Sequence, residues 1–350
     1  MRRLPIYFLI DVSESMVGEP IQQVEEGIAT IIQALKSDPV AIETVFVSII
    51  IFAGQARTLV PLQEIISFYP PRFPVGSGTS LSRGLGHLMF ELRKNIITTT
   101  AQQKGDWKPI IFLFTDGVPT DDTTAAINEW KQNWARSTHM VAVSFGEETD
   151  THLLQQLTEN VLHFKNTNTA AYKEFFKWVT ASIKTSSESV EQNTSGFELS
   201  SWNGDTIKKL DQEAPSNYKL DNNFVILAGK CQNTHRPYLM KYRKSLSSNE
   251  WGGLQLDTLS YRLVGAYQVD QAYYELSDNE AQSGKSINSQ ELIGAPTCPS
   301  CGNQYAFAAC HCGGIHCIGD EEISTCPWCN SQGRYGFGGE GGFNVNRTQG

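Results

Sequence analysis

Three short segments carry side chains that can hold a hard cation. Asp11-Val12-Ser13-Glu14-Ser15 follows an apolar run. Gly76-Ser77-Gly78-Thr79-Ser80 precedes a helical pattern. Thr115-Asp116-Gly117 follows a second apolar run. Together they offer only hydroxyls and carboxylates, a donor set suited to Mg²⁺ or Mn²⁺ rather than to Zn²⁺ or copper. Alternate residues of Asp-x-Ser-x-Ser turn toward one point as a strand opens into a loop. Two hydroxyls then ligate while carboxylates hold the ion's waters, and a carboxylate from outside completes the octahedron. Asp11, Ser13, Ser15, Thr79 and Asp116 are the candidate ligands.

A second chemistry lies near the C-terminus. Seven of the eight cysteines fall between 298 and 329, namely Cys298, Cys301, Cys310, Cys312, Cys317, Cys326 and Cys329. Cys298-Pro-Ser-Cys301-Gly and Cys326-Pro-Trp-Cys329-Asn are knuckles that put two thiolates on one tetrahedral ion, and the Gly or Asn permits the tight turn. Seven cysteines and one histidine fill two Zn²⁺ sites. In a ribbon, Cys298, Cys301, Cys326 and Cys329 share one ion, and Cys310, Cys312, Cys317 and a histidine hold the other. In a cross-brace, Cys298 and Cys301 pair with Cys317 and its neighbour, and Cys310 and Cys312 pair with Cys326 and Cys329. His311 and His316 both remain open as the eighth ligand. Complete shells of this kind are structural, and metal supplies much of the folding energy of so short a module. Cys231 stands apart and reads as a buried thiol.

The elements that must position these groups are legible from periodicity. Apolar runs at 6–10, 44–52, 109–114 and 140–145 read as buried strands, with an edge strand at 57–61 and another strand at 161–164. Helical patterns cover 19–36, 81–94, 123–136, 152–157 and 170–183. Strands alternating with helices predict an α/β fold with a doubly wound, mostly parallel sheet. Ligands of such a sheet sit at the strands' carboxyl ends. The expected divisions are this domain at 1–186, a polar linker at 187–200, a β-rich region at 201–294, the Cys-rich zinc module at 295–333, and a disordered Gly-rich tail at 334–350. Strands are expected at 224–228, 238–242 and 261–267. Arg236, Lys241, Arg243 and Lys244 read as a solvated strand face.

The first constellation resembles the von Willebrand A family, the integrin I-domain fold, whose metal-ion-dependent adhesion site consists of Asp-x-Ser-x-Ser, a Thr in a Gly-rich loop, and Thr-Asp-Gly. The resemblance implies that Ser13, Ser15 and Thr79 ligate the ion directly in the partner-bound state, and that Asp11 and Asp116 act through water or at close range. With the C-terminal Cys-Pro-x-Cys-Gly, Cys-x-Cys-Gly and Cys-Pro-Trp-Cys pattern, the chain resembles the TerY family of bacterial tellurite-resistance and stress-response proteins. That kinship implies a scaffold working with a protein kinase and a 2C-class protein phosphatase. A RING-type activity is not carried over, because the ligand spacing fits that family poorly.

Composition narrows the classes. A formal net charge of -9 disfavours a nucleic-acid partner. The apolar run after Arg3 is broken by Asp11, so it reads as a strand rather than a leader. No stretch is long enough to span a bilayer, and a cytoplasmic protein is the expectation. The leading expectation is a non-enzymatic scaffold that grips an Asp or Glu of a protein partner. The alternatives are a metal-dependent phosphohydrolase, which lacks a second acid where Ser13 stands, and a protein that handles metal directly through its cysteines.

Overall fold

The computed structural model describes residues 2–116, 118–145, 151–164, 176–183, 207–209, 224–251, 254–278, 286–336 and 342–348. The chain forms two compact units. Met1–Phe73 and Thr79–Tyr218 make the first, and Pro74–Gly78 and Lys219–Gly350 the second.

The first unit runs β1 (Leu4–Asp11), α1 (Glu19–Leu35), α2 (Pro39–Thr44), β2 (Val45–Phe52), β3 (Ala56–Glu64), α3 (Leu81–Asn95), β4 (Ile110–Thr115), α4 (Thr124–Asn133), β5 (His139–Phe145), α5 (Thr151–Gln155) and β6 (Val161–Phe164). A helix, α6 (176–183), and β7 (Ile207–Lys209) complete it. The strand order is β3-β2-β1-β4-β5-β6-β7. The outer strands β3 and β7 pair antiparallel and the inner ones parallel. This is the doubly wound α/β sheet expected.

Strand alternation sends side chains to both faces. Tyr7, Leu9, Ile50, Phe52, Ile111 and Leu113 pack with Leu85, Leu88 and Leu92 of α3 and Trp130 of α4. On the other face Phe8, Phe112, Phe114, Phe145 and Phe176 form a chain of rings with centroids 5.7–6.3 Å apart. Helix α1 reaches Phe176 through Gly27, where a Cβ would sit 1.9 Å from the ring. Burial on both faces is why these strands read as unbroken apolar runs.

Some elements differ from expectation. The edge strand β3 spans nine residues rather than five. Helix α2 was not anticipated; Asp38 caps it by accepting from Val40 N and Ala41 N, with Pro39 in the first turn. Strand β7 lies beyond the expected linker, yet it joins the first sheet. Of the helix expected at 170–183, only 176–183 falls among the described residues, and the expected linker lies outside them.

The second unit is built on a six-stranded sheet of β8 (Phe224–Lys230), β9 (Pro237–Trp251), β10 (Leu254–Gln268), β12 (Leu292–Ile293), β13 (Tyr305–Ala309) and β14 (Ile315–Ile318), in the order β12-β10-β9-β8-β14-β13. A short helix, α7 (Ala272–Leu276), follows β10. Two small ladders are added, β11 (Ser286–Asn288) with β17 (Asn344–Asn346) and β15 (Ser324–Thr325) with β16 (Gln332–Gly333). The three expected strands are present within β8, β9 and β10, and β9 and β10 are each 15 residues long.

The parallel pairing of β14 with β8 places strands from both sides of the expected boundary at 294/295 in one sheet. Residues 342–348, expected in a disordered tail, include β17, with Val345 buried and the Thr348 N–H donating to Ile226 O at 2.9 Å. Arg236 and Arg243 are exposed as expected. Lys241 is buried, however, with Nζ 4.6 Å from the Phe224 ring centroid. Among the described residues, no helix is long and apolar enough to cross a membrane.

Candidate functional site

The sheet reverses direction of growth at β1, which lies between β2 and β4. The loops leaving β1 and β4 therefore open side by side at a topological switch point. Asp11 ends β1, and Thr115 ends β4 with Asp116 next. Hydrogen bonds join them into one chain, oxygen to oxygen except where the Ser13 N–H meets Asp11. Thr115 Oγ1 donates to Asp11 Oδ2 at 2.7 Å, and the Ser13 N–H donates to Asp11 Oδ1 at 2.9 Å. Ser13 Oγ and Ser15 Oγ share a bond of 3.0 Å, and Ser15 Oγ donates to Asp116 Oδ1 at 2.7 Å. Asp11, Ser13 and Ser15 are buried and Asp116 is partly exposed, so the chain of oxygens ends toward solvent.

The fifth candidate ligand, Thr79, is buried and placed through its backbone. Its N–H donates to Thr120 Oγ1 at 3.1 Å, and its carbonyl accepts from the Thr120 N–H at 2.9 Å. Asp121 continues the clasp. Its Oδ2 accepts from Ser80 Oγ at 2.5 Å, from the Ser82 N–H at 3.2 Å, and from the Ser82 hydroxyl. Ser80 itself caps α3. Asp121 Oδ1 is buried without a hydrogen-bond partner. The Thr79 and Asp116 loops are thus fastened to each other. Thr120 and Asp121 were missed from sequence; their only signal is that they follow Thr115-Asp116-Gly117 closely enough to lie in the same loop.

These oxygens fit a small divalent cation. Neighbouring ligands of an Mg²⁺ octahedron with bonds of 2.0–2.1 Å stand about 2.9 Å apart. The Ser13–Ser15 and Ser15–Asp116 separations are 3.0 and 2.7 Å. Burial pushes the Asp11 carboxyl up to about 6, against the hydrogen bonds from Ser13 and Thr115 that favour its charged form. A cation nearby would restore the charge.

The cysteines gather into two groups of four. Cys231, Cys298, Cys301 and Cys317 form one, and Cys310, Cys312, Cys326 and Cys329 the other; within each, the sulfurs lie within 4.8 Å of one another. Tetrahedral Zn²⁺ with Zn–S bonds near 2.3 Å sets its sulfurs about 3.8 Å apart. The observed separations are 3.7 Å for Cys301–Cys317, 3.9 Å for Cys231–Cys317, 3.7 Å for Cys310–Cys329 and 3.8 Å for Cys312–Cys326. Each group fits one zinc ion.

The grouping is that of the cross-brace rather than the ribbon, with one substitution. Cys231 occupies the place left open for a histidine. His316 is fully buried, with Nδ1 3.0 Å from the Cys317 carbonyl, its ring edge-on to Tyr335, and Nε2 without a partner. His311 Nδ1 lies 3.4 Å from Cys310 Sγ, outside the four-thiol group.

The backbone around Cys231 explains why it belongs. In both Cys-x-x-Cys turns the first Cys N–H donates five residues ahead, its carbonyl accepts from four ahead, and that fourth residue has positive φ. Cys298 bonds Asn303 O and Gly302 N, with φ 79° at Gly302. Cys326 bonds Ser331 O and Asn330 N, with φ 60° at Asn330. Cys231 bonds Arg236 O and His235 N, with φ 56° at His235. It is a knuckle with Thr234 where the second cysteine would stand, and Cys317 of β14 supplies the missing sulfur. The in-register pairing of β14 with β8 brings that strand alongside Cys231.

The thiols differ in acidity. A hydrogen bond from Cys317 holds Cys298 down to about 5, and one from Ser331 holds Cys329 down to about 6. Burial pushes Cys326 up to about 12. Four sulfurs this close share their charge comfortably only around a cation.

Comparison with known proteins agrees with this geometry. The von Willebrand factor type A domain family matches residues 6–178, and the TerY-C metal binding domain family matches residues 221–350, across the sequence divisions at 294 and 333. No curated protein matches. Among solved structures, proximal thread matrix protein 1 from the mussel byssus is 19% identical, with a TM-score of 0.38, over 51% of this chain and 47% of that one. A von Willebrand factor type A protein from Catenulispora acidiphila is 17% identical, with a TM-score of 0.38, over 52% and 42%. BatB from Bacteroides thetaiotaomicron is 14% identical, with a TM-score of 0.37, over 52% and 99%. The chain thus spans less than half the length of the first two. With an α/β domain of one family joined to a cysteine-bearing β domain of the other, the chain belongs to the TerY family, a von Willebrand factor type A domain followed by a TerY-C metal binding domain.

Proposed function

We propose that this chain is a non-enzymatic scaffold whose first domain holds Mg²⁺ or Mn²⁺ and uses it to grip a carboxylate of a protein partner. The observation that carries this reading is the run of oxygens from Ser13 through Ser15 to Asp116, spaced as neighbouring ligands of one octahedral ion, with the Asp11 carboxylate held beside it by the Ser13 N–H. Thr79, held against the same loop by Thr120, supplies a further hydroxyl. When bound, the ion supplies an electron-poor position for an outside oxygen. Ser13 where a phosphohydrolase needs a second acid supports binding over turnover.

The second domain holds two zinc ions on its eight cysteines and serves as a folded docking surface. Kinship with the TerY family supports placing the scaffold in a bacterial tellurite-resistance and stress system, in the cytoplasm, with a protein kinase and a 2C-class phosphatase as partners.

The test is affinity capture from a bacterial lysate in Mg²⁺, in chelator, and with Asp11→Ala in Mg²⁺, followed by titration of each captured protein and its Asp/Glu variants. The expected result is capture in Mg²⁺ alone and loss on removing one partner carboxylate. Equal capture in all three arms would reject cation bridging. Hydrolysis of a generic phosphate ester that is lost in Asp116→Ala would favour the enzyme reading instead.

A further inference from the structure

The two cysteine groups use the same ligand type and both receive hydrogen bonds, but the first has three buried cysteines and the second only two, and they differ in the length of chain they close. Cys231, Cys298 and Cys317 are buried and belong to the core of the second unit with Val225, Tyr238 and Ile315. Donors surround their sulfurs. Gln232 N lies 3.3 Å and Asn303 Nδ2 3.6 Å from Cys317 Sγ, and Thr234 N lies 3.4 Å from Cys231 Sγ. The group ties the end of β8 to β14 and to the turn before β13, joining Cys231 and Cys317 across a sequence separation of 86.

The other group lies at the edge. Cys312 and Cys329 are exposed. It joins the turn between β13 and β14 to the β15–β16 hairpin, whose strands are two residues each. Cys310 and Cys329 have a sequence separation of only 19. The hairpin is otherwise docked by Trp328, whose Nε1 donates to Ile315 O at 2.7 Å and whose ring covers Gly314.

Displacing a metal from thiolates requires an incoming ligand to reach the ion or its sulfurs, and strongly coupled folding slows the loss. We propose that the site of Cys310, Cys312, Cys326 and Cys329 is an exchangeable site for thiophilic divalent cations, while the buried site is a permanent structural one. Loss of the outer ion releases the β15–β16 hairpin and leaves the six-stranded sheet folded. The outer site thereby makes the exposed surface around Trp328 conditional on the supply of a soft cation. This rests on reading both groups as zinc sites.

The test uses the full chain as purified with zinc. Zinc content is measured first, and release to excess chelator is then followed with a metallochromic dye and by tryptophan emission. The expected course is one equivalent released at least about tenfold faster than the second, as outer-site access and local opening dictate. The emission change should accompany the fast phase and vanish in Trp328→Phe. Cys312→Ser should lose the fast equivalent and keep the slow one. Added Cd²⁺ should occupy the outer site first, giving thiolate-to-metal absorption for one equivalent before the second. Release of both equivalents in one phase, or retention of the fast phase in Cys312→Ser, would overturn the proposal. A protein that binds no zinc at all would instead overturn the reading beneath it.

Discussion

Asp11 carries a charge that its surroundings oppose. It is fully buried, and desolvation raises its carboxyl to about 6 despite bonds from Ser13 and Thr115. In chelator the folded chain therefore holds this proton more tightly than the unfolded chain does. The stabilisation is complete below the ordinary value of 3.8 and is lost as pH rises through about 6. A divalent cation reverses the preference by favouring the carboxylate. The first unit should thus melt at lower temperature at pH 7 than at pH 4.5 in chelator, with a smaller difference in saturating Mg²⁺ and in Asp11→Asn. Parallel pH dependences in chelator and Mg²⁺ would argue against a cation beside Asp11. Asp121 acts one step further out. Asp121→Asn keeps an acceptor for Ser80 and Ser82 but removes the charge. It should weaken Mg²⁺ binding about tenfold by calorimetric titration, as is usual for groups that orient metal ligands. An unchanged affinity with a lower melting temperature would reduce Asp121 to a helix cap.

At the scale of elements, close approach is what fixes α1 on the sheet. Gly27 leaves room for the Phe176 ring. Gly27→Ala should displace that ring and cost about 1–3 kcal/mol in denaturant unfolding, outweighing the gain in helix propensity of up to ~1 kcal/mol. A stabilised variant would show that α6 yields freely. The parallel strands were legible because burial on both faces leaves continuous β-branched and aromatic runs, as in Val45–Phe52. Their acidic ends made the first site legible with them. The length of β9 was not legible: its second half, from Lys244 to Glu250, is polar but for Leu246, and it is a strand because it pairs residue for residue with β10. Cys231 was missed for a related reason. Its knuckle has Thr234 in place of a second cysteine, so the local pattern carries no metal signature, and its partners come from 67 or more residues away through the pairing of β8 with β14. Long-range pairing, not local composition, decides both.

Over the whole molecule, each unit has a core of its own and a metal chemistry of its own. Hard oxygens serve the first and soft sulfurs the second, so the two should respond to different reagents. Scanning calorimetry should show Mg²⁺ raising one transition, and a zinc-selective chelator lowering another while leaving the first within about 2 °C, because stabilisation follows the state that binds the ion. A single transition moved equally by both treatments would contradict separate units. The wide spacing of the buried thiol site has a further consequence during synthesis. Cys231 emerges 86 residues before Cys317, which at about 5–20 residues per second is a delay of roughly 4–17 s. Throughout that interval the nascent β8 lacks its β14 neighbour, and the group around Cys231 lacks its Cys317 sulfur. The buried group of four can therefore be completed only when Cys317 has been made, long after Cys231, whereas Cys310, Cys312, Cys326 and Cys329 are made within one short stretch.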